Sequence, residues 1–178
     1  SNGLTIGDFA ATHSDRLVTT FSRCRQRRGR MELNTRRARG AKDMMAALRD
    51  HGHGGVTPQY DPLTGGVGAV CMHAGGVAAA SQTTASWVSE LTAAGSSHWV
   101  TATAAPCTGL FKPVRVDQPL DLSPLPTDHD DGRSLWWRHE ALHRRVMTDP
   151  LRLAPHVAPE RDALEQRWLD TPPDSAAA

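Results

Sequence analysis

Two short runs in the middle of the chain decide the fold: TTASWVS at residues 83–89 and HWVTATA at residues 98–104. Each alternates large side chains such as Trp87 and Trp99 with small or hydroxylated ones, and a turn-forming Gly-Ser-Ser lies between the runs. Runs of Thr, Val and Trp bounded by glycine and serine are typical of strands joined by short turns. Together with the apolar stretches at residues 67–73 and 110–116, they predict four strands of an antiparallel meander within residues 67–116.

Helices are predicted on both sides of this β region. Apolar residues recur at i, i+3, i+4 and i+7 from Ala41 to Leu48, which indicates a helix packed against a core. Acidic residues precede a second apolar row, and Pro159 suits the first turn of a third helix. A short strand edge is expected at Leu4 and Ile6, and a disordered tail at residues 172–178. The predicted helices span about residues 38–50, 134–148 and 159–169.

Length and composition limit the class of protein. The chain has 178 residues, of which 39% are hydrophobic and 22% charged, as expected of one soluble globular domain with an α+β fold. No apolar run approaches the ~20 residues of a membrane helix, and the N-terminus does not resemble a signal peptide. The three cysteines, Cys24, Cys71 and Cys107, form no CxxC pair. We therefore predict a reducing, cytoplasmic location and no membrane partner.

Positive charge is concentrated near the N-terminus. Residues 16–39 hold nine arginines opposed only by Glu32. Such a cluster can neutralise phosphates, but only Phe21 is available for stacking on bases. We therefore interpret residues 16–39 as a solvated, mobile surface segment, and nucleic-acid binding is disfavoured.

Few residues form a recognisable catalytic or metal-binding motif. His51, His53, Cys71 and His73 are ligand types that zinc prefers, but their spacing matches no zinc motif. The chain contains no GxSxG elbow of serine hydrolases, and its glycine-rich stretches match neither the dinucleotide nor the P-loop pattern. From these patterns we expect no metal ion and no cofactor.

Several segments, taken in order, resemble the secernin family of cysteine dipeptidases. Each segment is short, but together they extend over nearly the whole chain. They are SNGLTI at residues 1–6, DMM at 43–45 with LRDH at 48–51, VCMHA at 70–74, QTTASWVS at 82–89, HW at 98–99, PCT at 106–108, FKPV at 111–114 and LWWRHE at 135–140.

The resemblance implies an N-terminal nucleophile (Ntn) hydrolase. These enzymes have a four-layer αββα sandwich of antiparallel strands with flanking helices. Their nucleophile is the Cys at the start of the mature chain, and its own α-amino group acts as the base. The implied activity is hydrolysis of peptide or amide bonds, with a dipeptide or a small amide as substrate.

None of the cysteines here is N-terminal, and the chain begins at Ser1 without an initiator methionine. We therefore expect residues 1–171 to be the C-terminal portion of one Ntn-hydrolase-like domain, with the nucleophile upstream of this chain. The segment alone should be inactive. It should pair with the missing N-terminal half or with a second copy of itself, since a half-sandwich exposes apolar surface.

One catalytic position follows from the resemblance. Asn2 is the counterpart of an Asn that supports the nucleophile and the oxyanion in related acylases. A second interpretation makes Ser1 itself the nucleophile, although the resemblance places Ser1 on an internal strand. An Arg from the Arg23–Arg30 cluster can in principle bind a substrate carboxylate through two hydrogen bonds.

Two alternatives to the hydrolase remain open. The chain can belong to a non-enzymatic secernin-like interaction protein, because animal secernins are associated with exocytosis. Alternatively, it is an Arg-rich nucleic-acid-binding protein.

Overall fold

The fold is α+β, with a small antiparallel sheet and surrounding helices, as the sequence predicts. The computed structural model describes residues 3–52, 57–58, 65–75, 81–93, 95–118 and 124–171, so Asn2 and the tail at 172–178 lie outside the described residues. None of the described helices is both long and apolar enough to cross a membrane. The elements are α1 (Gly7–His13), α2 (Arg16–Phe21), α3 (Cys24–Thr35), α4 (Ala41–Leu48), β1 (Trp87–Thr92), β2 (Gly95–Val100), β3 (Lys112–Val114), α5 (Leu135–Met147) and α6 (Pro150–Asp170).

The sheet is a three-stranded antiparallel meander in the order β1-β2-β3. The first two strands form a hairpin that pairs Trp87 with Val100 at one end and Thr92 with Gly95 at the other. Gly95 has a φ of +146°, a conformation that L side chains rarely adopt. The meander is therefore confirmed, with three strands.

The predicted strand at residues 67–73 is wrong. Gly65 and Gly66 adopt positive φ values of 58° and 72°, and the Ala69 amide donates back to the Gly66 carbonyl (2.8 Å), which closes a turn. The Cys71 amide donates to the Asp50 carbonyl (3.0 Å) and not to a neighbouring strand. The glycines therefore turn this apolar stretch into a buried loop.

The strand edge expected at Leu4 and Ile6 is also wrong. Ile6 is the N-cap of α1, and both side chains are exposed. Inside α1, the rings of Phe9 and His13 stack one turn apart, with 4.2 Å between their centroids. Such i, i+4 contacts stabilise a helix. The chain therefore enters helix α1 directly after Ile6, and the alternation of Leu4 and Ile6 does not form a strand.

The Arg-rich residues 16–39 lie at the surface, but they are largely helical. Asp15 caps α2 by accepting from the amides of Leu17 (2.9 Å) and Val18 (3.0 Å). Most side chains of α2 and α3 are exposed. Arginine is a good helix former, so a charged surface segment needs no apolar stripe to be helical.

The last helix is longer than the sequence pattern predicts. It begins at Pro150, because the Asp149 side chain caps it by accepting from the Arg152 amide (3.4 Å) and Pro150 fits the first turn. Pro155 and Pro159 lie inside the helix. Pro159 therefore does not begin α6, which differs from the prediction of a helix at 159–169.

The main apolar core lies between helix α4 and one face of the sheet. It consists of buried Ala41, Met45, Val88, Trp99 and Phe111, with Leu169 of α6 packed at its margin. Strand residues alternate between faces, so Trp87 and Leu91 lie on the face opposite Val88. Their exposed fractions are 54% and 76%. The sheet therefore has one packed face and one face with exposed apolar side chains.

Lys112 in β3 supports a pH-dependent prediction. Its ammonium donates to the carbonyls of Thr101 and Leu110, and burial lowers its pKa from 10.5 to about 8. Between these two pH values the unfolded chain binds more protons than the folded chain, so the stability should rise with pH. Relative to Lys112→Met, the wild type should gain about 2 kcal/mol from pH 8 to pH 10.5, after allowance for partial exposure. Urea unfolding at a series of pH values measures this difference. Lys42→Met, which removes an exposed lysine, is the matched control. An equal slope for both variants would contradict the prediction.

Candidate metal centre

Four side chains with metal-binding atoms meet in the interior of the protein. They are His51, Cys71, His73 and Cys107, and one donor atom from each lies within 4.8 Å of all the others. All four residues are buried, and Cys71 is fully buried. The donors come from three segments of the chain, so each segment must be held in place for them to meet.

The first segment follows α4 and carries His51. Asp50 is held by two hydrogen bonds from the Arg30 guanidinium (2.7 and 2.8 Å) and one from the Asn34 amide (2.9 Å). These contacts keep the pKa of Asp50 low, at about 2, against the opposing effect of burial. Because the Asp50 carbonyl also accepts from the Cys71 amide, the segments of His51 and Cys71 are joined directly.

The segment that carries Cys107 is a loop between β2 and β3 with an unusual backbone. Ala102 and Ala105 both have a φ of +50°, a region that residues with a Cβ rarely occupy. Single residues of this kind persist only where the surrounding structure holds them, and they are common at functional sites. The strain therefore indicates that the path of this loop is imposed by its contacts.

Cationic and imidazole groups supply those contacts. Arg161 of α6 donates to the Cys107 carbonyl, and Arg49 donates to the Pro106 carbonyl (2.8 Å). His139 of α5 lies with its Nε2 3.1 Å from the Ala104 carbonyl, to which it can only donate. Burial lowers the pKa of His139 to about 4, so the ring is neutral and carries its proton on Nε2.

His73 stands at the centre of the cluster and at the end of a hydrogen-bonded chain. Its Nδ1 lies 2.9 Å from Nε2 of His143, whose Nδ1 lies 3.4 Å from a carboxylate oxygen of Glu140. Arg144 (2.8 Å) and Gln82 donate to the same carboxylate. The pKa of Glu140 is lowered because these donors outweigh the effect of burial, so the residue is ionised.

This chain determines which nitrogen of His73 carries the proton. An ionised Glu140 can only accept, so His143 donates from Nδ1. Burial lowers the pKa of His143, so its ring is neutral and offers a lone pair at Nε2. His73 must then donate from its own Nδ1, which leaves a lone pair on its Nε2. The other three candidate ligand atoms lie around this Nε2: His51 Nε2 at 3.1 Å, Cys71 Sγ at 3.6 Å and Cys107 Sγ at 3.6 Å.

The two clustered thiols differ in acidity. The hydrogen bond with the Cys71 thiol holds the pKa of Cys107 well below its ordinary value, against the opposing effect of burial. Burial, together with the neighbouring Cys107, raises the pKa of Cys71 well above its ordinary value. The Cys107 thiol is therefore the more acidic of the two.

Sequence patterns identified only part of this cluster. His51, Cys71 and His73 were candidate ligands, and the structure brings them together although their spacing argued against a metal site. Cys107 completes the set, while His53 and the predicted catalytic Asn2 lie outside the described residues. Cys107, His143 and Glu140 were missed. Glu140 ends the segment LWWRHE, and it lies three residues before His143 on the buried face of α5, which also carries Val146.

The Arg23–Arg30 cluster is largely engaged within the chain. Arg30 is paired with Asp50, Arg28 with Glu32 (3.3 Å), and Arg27 donates to the Val67 carbonyl (2.6 Å). An open groove of about 670 Å³ lies between α3, α4 and α6, and Arg30 and Asp50 line it. None of the four clustered residues lines the groove, so the cluster is separate from this opening.

No protein-family model, curated protein or solved structure matches the chain.

Proposed function

We propose that the chain is the C-terminal part of a secernin-like amide hydrolase that cleaves dipeptides through an N-terminal Cys upstream of Ser1. One observation carries this proposal. The segments that resemble secernins are far apart in the sequence, yet several of them contribute polar side chains to the same buried cluster.

Five of the resembling segments meet in this way. LRDH contributes His51, VCMHA contributes Cys71 and His73, PCT contributes Cys107, and LWWRHE contributes Glu140 through His143. QTTASWVS supports VCMHA directly, because the Thr83 hydroxyl accepts from the Met72 amide (3.1 Å) and the Thr83 amide donates to the Met72 carbonyl (2.9 Å). Polar residues from separate segments that converge on one buried place are typical of a functional region.

The sheet is also compatible with half of an αββα sandwich. Helices cover one face, while Trp87 and Leu91 leave apolar surface exposed on the other. In a four-layer sandwich that second face packs on another sheet. The proposed partner of this face is the N-terminal half of the same hydrolase, which would also carry the nucleophile.

The proposed reaction follows from the chemistry of that nucleophile. The Cys thiol gives its proton to the α-amino group of the same residue, and the sulfur attacks the amide carbonyl. The amine product leaves with a proton, and water then releases the acid from the thioester. Asn2, in this proposal, donates a hydrogen bond to the developing oxyanion.

The test is an activity assay on the protein encoded with the sequence upstream of Ser1. We expect that protein to release free amino acids from a panel of dipeptides. Replacing its N-terminal Cys with Ala should reduce kcat by at least about 1,000-fold, since removing a nucleophile leaves little chemical catalysis. The present chain alone, as a control, should release none. Absence of activity in the longer protein, or activity in the present chain alone, would contradict the proposal.

A further inference from the structure

We propose that His51, Cys71, His73 and Cys107 bind one zinc ion in a tetrahedral site. The inference does not depend on the proposed hydrolase, because it concerns a separate set of atoms with a separate readout. It is carried by the distances between the four ligand atoms and by the burial of the site.

The distances fit a tetrahedron around zinc. With Zn–S near 2.3 Å and Zn–N near 2.0–2.1 Å, two nitrogen ligands lie about 3.3 Å apart, and a nitrogen and a sulfur lie about 3.6 Å apart. The two His Nε2 atoms are 3.1 Å apart, and both Cys sulfurs are 3.6 Å from His73 Nε2. The three distances to His73 Nε2 therefore match the spacing that a shared ion requires, and the other three pairs of atoms lie within 4.8 Å.

Hydrogen bonding alone accounts poorly for the same arrangement. The chain from Glu140 through His143 leaves His73 Nε2 with a single lone pair, and three groups approach it. One lone pair in the ring plane cannot accept well from all three. A cation satisfies the four groups together, because it accepts a lone pair from each.

Glu140 and His143 complete the arrangement as outer partners of the site. A metal-binding histidine usually donates its second N–H to a carboxylate, carbonyl or other acceptor, which fixes its tautomer and orientation. His73 has this contact through His143. His51 differs, because its buried Nδ1 has no hydrogen-bond partner within the described part of the chain. With the proton of His51 on Nδ1, its Nε2 can present a lone pair to the ion.

The ligand set favours zinc in a structural role. Two thiolates and two imidazoles in a tetrahedron are typical of zinc, while harder cations such as Mg²⁺ prefer oxygen ligands. Catalytic zinc sites keep one position open for water, but here four protein donors would fill the coordination sphere. Binding releases the thiol protons, and two thiolates then balance the double charge of the ion. The ion would join the segment after α4, the loop at 67–73 and the strained loop before β3.

The test measures metal in the purified 178-residue chain and in two cysteine variants. Wild-type protein from zinc-supplemented medium should hold about one zinc ion per chain, and Co²⁺ exchange should give the visible bands of a tetrahedral thiolate site. Cys71→Ser combined with Cys107→Ser should lower the zinc content at least tenfold. Cys24→Ser is the matched control, since Cys24 is also buried but lies outside the cluster. It should retain full zinc content.

A second measurement on the wild type covers the case in which the double variant does not fold. Adding zinc to chelator-treated protein should protect two of the three thiols from a thiol reagent. Three results would overturn the proposal. They are less than about one tenth of a zinc ion per wild-type chain, no protection of the thiols by zinc, and an equal loss of zinc in Cys24→Ser. None of these readouts depends on dipeptide hydrolysis, so a failure here and a failure of the hydrolase assay are distinguishable.

Discussion

Replacing Glu165 with alanine is expected to lower the free energy of unfolding by about 3–5 kcal/mol, since it leaves a largely buried charge unpaired. One carboxylate oxygen of Glu165 accepts from the Arg49 guanidinium (2.5 Å) and from the Phe111 amide (2.8 Å). Arg49 also donates to the Pro106 carbonyl and lies 5.0 Å from the centre of the Phe111 ring. Glu165 thus connects α6 to Arg49, directly after α4, and to Phe111, directly before β3.

Two further variants test which property of Glu165 matters. One removes its charge, and the other is a control at an exposed position of the same helix. Glu165→Gln keeps an oxygen for the Phe111 amide but removes the charge, so we expect a smaller loss than for alanine. Glu160→Ala lies on the same helix at an exposed position and should change stability by less than about 0.5 kcal/mol. Denaturant unfolding of the three variants provides the comparison. An equal loss of unfolding free energy at positions 160 and 165 would contradict a special role of the buried pair.

Replacing Phe111 with alanine should be comparably severe, with a loss of about 3–5 kcal/mol. The side chain is fully buried, and it packs with Met45, Val88 and Trp99 where α4 meets the sheet. Deleting the ring removes apolar contacts and leaves a cavity between elements that the backbone holds apart. Small domains have only about 5–15 kcal/mol of stability in total, so a large unfolded fraction at 37 °C is expected.

Phe21 is the matched control for this prediction. It is also a phenylalanine, but 77% of its surface is exposed. Phe21→Ala should change the midpoint of denaturant unfolding very little, while Phe111→Ala should shift it strongly at an unchanged slope. A Phe111→Ala chain with the wild-type midpoint would contradict the packing described here.

The sequence predicted those parts of the fold that local patterns determine. Alternation around Trp87 and Trp99 indicated the hairpin, and the stripe from Ala41 to Leu48 coincides with α4. Patterns failed where tertiary contacts decide the structure. The run at 67–73 looks like a strand, but glycine turns and the bond from Cys71 to the Asp50 carbonyl make it a loop.

The candidate site was harder to predict for a related physical reason. Zinc motifs are recognisable when pairs of ligands lie close together in one segment, as Cys71 and His73 do here. The other donors, His51 and Cys107, come from different loops, and nothing in their own segments indicates that they meet. Only the folded chain shows that the strained loop brings Cys107 to His73.

The wide separation of the clustered residues has a consequence for how the protein folds. His73 contacts partners 22, 34 and 70 residues away in the sequence. Bringing such distant groups together requires closing long loops, which costs chain entropy before any contact forms, and contacts of this range are associated with slow folding. The cluster should therefore assemble late, after the local hairpin and helices. Protection of its thiols should accordingly report the completed tertiary structure and not an early intermediate.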